Sequence, residues 1–170
     1  MYIAVCWQKE EGSKIWRYAV KTNQIIQEVF MKTAVIFWSG TGNTEAMANA
    51  VLNGMKDAGA DASLIPCDRV SATDISQFDA IAFGCPAMGA EVIEEDEFAP
   101  MFNDIKASLA GKKIALFGSY GWGDGTWMRE WEDDCKASGI DLAADSVICC
   151  EAPDDTAVAE CFALGKALAG

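Results

Sequence analysis

The chain has no histidine at all, and that single absence closes most side-chain chemistry. Serine and cysteine nucleophiles lose their usual base, and zinc, copper and non-haem iron lose their commonest ligand. No cysteine pair has the C-x-x-C spacing of dithiol redox motifs and zinc knuckles. No apolar run approaches the roughly 18–20 residues of a membrane span. Positive charge is scarce as well: 13 Lys and Arg stand against 26 Asp and Glu, a net charge of −13. Such a surface repels nucleic-acid phosphate and anionic lipid, which excludes both as expected partners. Whatever chemistry occurs here is borrowed from a bound group.

What is present suits one globular domain. The 170 residues are 51% hydrophobic, enough to bury a substantial core and too apolar for disorder. Seven cysteines, an odd number without a secretory signal, read as reduced thiols and predict a cytoplasmic protein. Vicinal Cys149-Cys150 close an apolar, strand-like run and read as small buried hydrophobes.

Residues 1–30 differ from the rest, with four basic side chains (Lys9, Lys14, Arg17, Lys21) against three acidic ones (Glu10, Glu11, Glu28). The apolar stretch Ile3–Trp7 is too short for a signal-peptide core. Met31 is expected to be the true start. Gln27-Glu28-Val29 can be encoded CAG-GAG-GTN, which contains a purine-rich AGGAGG where a bacterial ribosome-binding site would sit. The competing reading is a genuine extension, with Lys14–Val20 and Gln24–Phe30 as extra elements. The intact mass of the native protein decides between them. The expected organisation is therefore 1–30 as an N-terminal extension or mis-assigned start, and 31–170 as the functional domain.

From Lys32 onward, short apolar runs alternate with helical patterns. Thr33–Trp38, Ala62–Pro66, Ala80–Gly84, Lys113–Gly118 and Ser146–Cys150 read as five strands. Met47, Val51, Met55 and Ala58 recur at helical spacing. Phe98–Leu109, Thr126–Ser138 and Thr156–Leu168 read as further helices. Strands this short and this apolar predict a parallel sheet covered on both faces, a doubly wound α/β three-layer sandwich. In such sheets ligands bind beyond the carboxyl ends of the strands, where strand order reverses. The segments after strands one, three and four are all unusual.

After strand one, Ser39-Gly40-Thr41-Gly42-Asn43-Thr44 leads straight into a helix. Its backbone can curl so that N–H groups converge on an anion at the helix start, with hydroxyl and amide side chains as extra donors. There is no Gly-Lys-[Ser/Thr], and Glu45 stands where the third glycine of G-x-G-x-x-G belongs. A cage of neutral donors suits one terminal phosphate that is held and never transferred. After strand three comes Cys85-Pro86-Ala87-Met88-Gly89-Ala90-Glu91. After strand four comes Ser119-Tyr120-Gly121-Trp122-Gly123-Asp124-Gly125. Loops carrying Met88 and Trp122 on neighbouring strands can sandwich a flat aromatic ligand.

The segments Trp38–Glu45, Cys85–Gly89 and Leu116–Gly123 resemble those of the short-chain flavodoxins of anaerobic bacteria, in register from Met31 to the C-terminus. The resemblance implies strand order 2-1-3-4-5 and a non-covalently bound FMN. It places Ser39, Gly40, Thr41, Gly42, Asn43 and Thr44 around the phosphate, Met88 on the inner face of the ring and Trp122 on the outer. Pro86, Ala87, Gly89, Ala90, Glu91, Ser119, Tyr120, Gly121 and Gly123 complete the cofactor-binding set, with backbone atoms of Gly89, Glu91, Gly121 and Gly123 at the polar edge of the ring. The Glu91 side chain is a further acceptor for the ring N3–H. Ala90 departs from relatives, which often carry a polar residue there.

The implied function is a low-potential carrier of single electrons between redox enzymes, with no substrate of its own. Met88-Gly89-Ala90-Glu91 suits a type II′ turn, whose peptide can turn a carbonyl toward the ring N5 once reduction places a proton there. Carboxylates at Glu91, Glu94, Glu95, Asp96 and Asp124 disfavour a second negative charge on the ring. The runs Glu94–Glu97 and Glu132–Asp134 read as solvated surface or as steering toward basic docking surfaces on ferredoxin-type reductases and oxidoreductases. A monomer is expected. The competing function is a flavin-dependent quinone or nitro-compound reductase, which needs a substrate pocket that these short loops do not build. A receiver-like signalling domain needs an acidic cluster after strand one and a lysine after strand five, where Ser39-Gly40 and Glu151-Ala152-Pro153 stand instead.

Overall fold

The computed structural model describes residues 5–9, 16–20 and 30–170, which divide between two compact units, Met1–Phe30 with Gly170, and Met31–Ala169. In the first, Val5–Lys9 and Trp16–Val20 form a two-stranded antiparallel ribbon registered from Val5 opposite Val20 to Lys9 opposite Trp16. The second strand falls within the expected element Lys14–Val20. Residues 24–29, most of the other expected element, lie outside the described residues.

The second unit is built on five strands: β1 (Lys32–Phe37), β2 (Asp61–Pro66), β3 (Ala80–Gly84), β4 (Lys113–Tyr120) and β5 (Val147–Cys150). They pair in the order β2-β1-β3-β4-β5, all parallel, as expected. Five helices complete it: α1 (Asn43–Asp57), α2 (Ala72–Ile75), α3 (Phe98–Ile105), α4 (Thr126–Ala137) and α5 (Asp155–Ala169). The helix expected over Phe98–Leu109 tightens to a 3-10 turn at Lys106–Ser108.

The central strands β1, β3 and β4 are apolar along most of their length because successive residues face different helical layers. Ala34, Ile36, Ile81, Phe83, Ile114 and Leu116 point into the layer of α3 and α4, beside Phe98, Phe102, Trp127 and Trp131. Val35, Phe37, Ala80, Ala82, Ala115 and Phe117 point into the layer of α1 and α5. On the first face the fill is aromatic, with Phe102 edge-on to Phe83 at 5.1 Å and to Trp131 at 5.5 Å. On the second, the two helices come close enough for backbone contact at Gly54 and Gly165. A Cβ added at Gly54 would stand 2.0 Å from the Phe162 carbonyl oxygen, and one at Gly165 would stand 2.0 Å from that of Val51. Gly54→Ala is therefore expected to force α1 and α5 apart and cost about 1–3 kcal/mol, the range for overpacked cores. Urea unfolding of the variant checks this.

Four of the five strands differ from their expected limits by one or two residues, and only β3 matches. Strand β4 runs two residues past Gly118, because Ser119 and Tyr120 pair with Cys149 and Cys150. The vicinal cysteines are not both buried: Cys149 is half-buried beside the Met47 sulfur at 3.5 Å, and Cys150 is exposed. Cys67, Cys85, Cys135 and Cys161 are buried.

Candidate functional site

Strands β1, β3 and β4 are consecutive neighbours in the sheet, so their following loops share one stretch of its carboxyl edge. The reversal of strand order falls between β1 and β3, where an open α/β sheet offers a crevice.

The first loop closes on itself. Ser39 Oγ accepts from the N–H of Gly42 at 3.1 Å and of Glu45 at 3.3 Å. Both lone pairs are thereby engaged, and the hydroxyl proton remains for an outside acceptor. Gly42 takes the left-handed φ of +94° at the helix N-cap. The amides of Asn43 and Thr44 in the first turn of α1 have no intrahelical acceptor, as at any helix start. Thr44 Oγ1 lies 3.1 Å from Ser119 Oγ, and both residues are buried at 1% and 5% exposure. This hydroxyl pair ties the loop to the end of β4. Gly40 and Thr41 are exposed, while Ser39, Gly42 and Asn43 are half-buried.

The second loop is a small hairpin that the periodicity did not predict. Ala87–Met88 pairs with Val92–Ile93, leaving Gly89, Ala90 and Glu91 as its tip. Gly89 has φ +51° and Glu91 φ +63°, while Ala90 is not left-handed. Positive φ at the first central position alone fits the expected type II′ turn and excludes type I′. Pro86 is buried and Ala87 half-buried; Met88, Gly89 and Ala90 are exposed.

In the third loop Tyr120 is half-buried and Gly121, Trp122 and Gly123 are exposed. The structure joins this loop to the hairpin through Glu91. Its Oε1 accepts from the amides of Asp124, Gly125 and Thr126 at 3.2, 3.1 and 3.2 Å, capping α4. The carboxylate occupies the space beside Gly123, where an added Cβ would meet Glu91 Oε1 at 2.4 Å. Asp124 accepts from Thr126 and pairs with Arg129 at 2.9 Å. The Thr126 hydroxyl first, then Arg129, hold the Asp124 carboxyl below its ordinary value.

Two large apolar side chains stand in solvent at this edge, Trp122 at 62% exposure and Met88 at 42%. A groove of about 500 Å³ lies elsewhere, between Cys67–Ala72 and α3, and includes none of the expected site residues. The site is an open edge with two projecting apolar groups beside a donor-lined helix start.

One expectation needs correction. Glu94 does not belong to a solvated acidic run. At 6% exposure it accepts from the amides of Asp96, Glu97 and Phe98 at 2.9, 2.9 and 2.7 Å and caps α3. Burial pushes its carboxyl up, but the amides of Phe98, Glu97 and Asp96 outweigh that and hold it below the ordinary 4.5. A depressed folded-state value stabilises the protein fully above the unfolded value, and the gain is lost as pH falls through the folded one. Glu94→Gln should therefore cost about 1–2 kcal/mol at neutral pH, with the gap to the unmodified protein closing below the ordinary carboxylate range. Urea unfolding across a pH series reads both.

The buried and half-buried thiols Cys135, Cys149 and Cys161 are not poised for reaction. Burial first, then Asp154, pushes Cys149 up to about 11, and burial raises Cys135 and Cys161 to about 12. The thiolate is the reactive form, so these groups are inert at neutral pH.

A doubly wound parallel sheet whose switch-point edge carries a glycine- and hydroxyl-rich loop at a helix start is the architecture of the mononucleotide-binding α/β class. Comparison with known proteins identifies the family. A flavodoxin family model matches residues 35–165. A flavodoxin of Clostridium beijerinckii is 42% identical over 135 residues, covering 79% of this chain and 97% of that one. A flavodoxin of Megasphaera elsdenii is also 42% identical over 135 residues, covering 79% and 96%. The solution structure of the two-electron reduced M. elsdenii flavodoxin aligns with a TM-score of 0.75 over 81% of this chain and 98% of that chain. The chain belongs to the flavodoxin family: it is an FMN-binding, electron-transfer flavoprotein. The alternative reading as a quinone or nitro-compound reductase is not favoured.

Proposed function

We propose that FMN is held by residues 39–44, 86–91 and 119–123 in the manner the sequence predicts. Ser39, Thr41, Asn43 and Thr44 donate to the phosphate from hydroxyl, amide and backbone groups around Gly40 and Gly42. The donor set fits a phosphate dianion: neutral hydrogen-bond donors at a helix N-terminus, with the helix dipole favouring negative charge. Met88 and Trp122 take the two faces of the ring, and the backbone of Gly89, Glu91, Gly121 and Gly123 meets its polar edge. Glu91 Oε1 already serves α4, so only Oε2 is available to the ring N3–H.

When bound, FMN supplies the one-electron chemistry. The chain's part is to orient the ring, shield it from water between Met88 and Trp122, and offer a backbone carbonyl at the Met88–Glu91 turn to a proton on N5. The observation that carries this reading is the pair of unpacked apolar side chains, Met88 and Trp122, on loops after adjacent strands. The fold leaves 62% of Trp122 and 42% of Met88 in solvent, and a flat ring between them would give both a packing partner.

We further propose that the protein has no substrate of its own, works as a monomer in the cytoplasm, and meets redox enzymes through their basic docking surfaces. Support comes from the net charge of −13 and from the exposed carboxylates Glu95, Asp96, Glu97, Asp133 and Asp134. A steady-state assay of FMN-loaded protein with NAD(P)H and a quinone tests the carrier reading. Little turnover is expected without a separate reductase; turnover rivalling a reductase contradicts it.

A further inference from the structure

Trp38 and Glu97 lie outside the expected cofactor-binding set, yet the structure ties both to its first loop. Trp38 follows β1 directly, and its N–H donates to the Gly84 carbonyl at 2.9 Å, so its backbone is fixed to β3. Its half-buried indole packs on the core and turns its six-membered ring toward Gly40. A Cβ added at Gly40 would stand 2.9 Å from Cη2 and 3.2 Å from Cζ3 of that ring. The indole Nε1–H donates to Glu97 Oε2 at 2.6 Å, across 59 residues of sequence. Glu97 sits at the N-cap position of α3, and its own N–H is held by Glu94 Oε2 at 2.9 Å.

These contacts form one line of support. A buried carboxylate fixes the backbone at Glu97, the Glu97 side chain fixes the indole, and the indole forms a wall beside Gly40. We propose that Trp38 and Glu97 are positioning residues for the phosphate of FMN, setting the shape of the Ser39–Thr44 loop without touching the phosphate themselves. The inference rests on the assignment of that loop to the phosphate.

The physical argument is one of rotamer and reach. An indole at the end of a strand has alternative χ1 and χ2 wells, and a charge-assisted hydrogen bond at 2.6 Å selects one of them. With that well selected, the ring blocks collapse of the loop backbone toward β3. Once the ring is free to move, the loop amides lose their fixed convergence on a single anion, and preorganised binding weakens. The ring itself need not disappear for this to happen, because loss of the N–H alone releases it.

The test measures binding of FMN and of riboflavin, which lacks the phosphate, to apoprotein by fluorescence titration. Trp38→Phe keeps an aromatic ring and removes the donor; Glu97→Ala removes the acceptor; Glu97→Gln keeps an acceptor. Trp38→Phe and Glu97→Ala are each expected to raise the FMN Kd about tenfold, the scale of one charge-assisted hydrogen bond, while leaving riboflavin unchanged. The double variant should lose no more than either single one, since both remove the same bond. Glu97→Gln should stay within about twofold of the unmodified protein, an uncharged acceptor replacing a charged one. Equal weakening of FMN and riboflavin would overturn the inference, as a general structural role predicts that result. So would unchanged FMN binding in Trp38→Phe and Glu97→Ala alongside a clear preference for FMN in the unmodified protein. If the unmodified protein binds FMN and riboflavin equally, the phosphate assignment fails first and the inference falls with it.

Discussion

Trp122→Ala is expected to raise the FMN Kd about 30–100-fold, through loss of ring stacking and of the apolar area it covers. The same change should leave the stability of the apoprotein within about 0.5 kcal/mol, as for other exposed positions. The two expectations belong together. At 62% exposure the indole has little packing to lose, so its cost appears only when a flat ligand is present. A core tryptophan such as Trp127, 1% exposed, would behave the opposite way. Met88→Ala should follow the same pattern with a smaller effect, because a thioether–ring contact is worth about 0.3–1.5 kcal/mol. Fluorescence titration with FMN and urea unfolding of the apoprotein measure the two sides separately. A Trp122→Ala protein that binds FMN normally would remove the outer-face assignment.

Gly89→Thr is expected to change electron transfer energetics more than binding. Gly89 has φ +51°, a conformation that a β-branched residue adopts only under strain. No atom lies within 4 Å of where its Cβ would stand, so the substitution acts through the backbone and not through a clash. In the proposed arrangement the turn holds this φ while its carbonyl would face a proton on the ring N5. A hydrogen bond of this kind is worth about 0.5–1.5 kcal/mol, or about 20–65 mV for one electron. The separation between the first and second one-electron potentials of the bound flavin should shrink by that amount in Gly89→Thr, and by less in Gly89→Ala. Potentiometric titration followed in the visible spectrum measures it. An unchanged separation would show that the turn does not sense the flavin's protonation.

The sheet is legible because its central strands are short, apolar and buried on two faces. Ala80–Gly84 was read to the residue for that reason. The errors follow from what periodicity cannot register. Two-residue hairpin arms at Ala87–Met88 and Val92–Ile93 carry no repeat, and the left-handed φ of Glu91 is a tertiary outcome, held by three amides of another loop. Glu94 sits in an acidic run, and only the approach of the α3 amides separates it from its solvated neighbours. The loop proposed to hold the phosphate stands out in the sequence by its glycines and hydroxyls. Its lateral support from Trp38 and Glu97 does not, since the partners are 59 residues apart. Trp38 opens the motif Trp38–Glu45, but nothing in the sequence couples it to Glu97.

The most direct test of the site is the visible spectrum of the apoprotein during titration with FMN. One equivalent per chain is expected to bind at micromolar Kd or tighter, with the perturbed flavin absorbance of a stacked, water-shielded ring. A protein that stays colourless in micromolar FMN would contradict the account at its root.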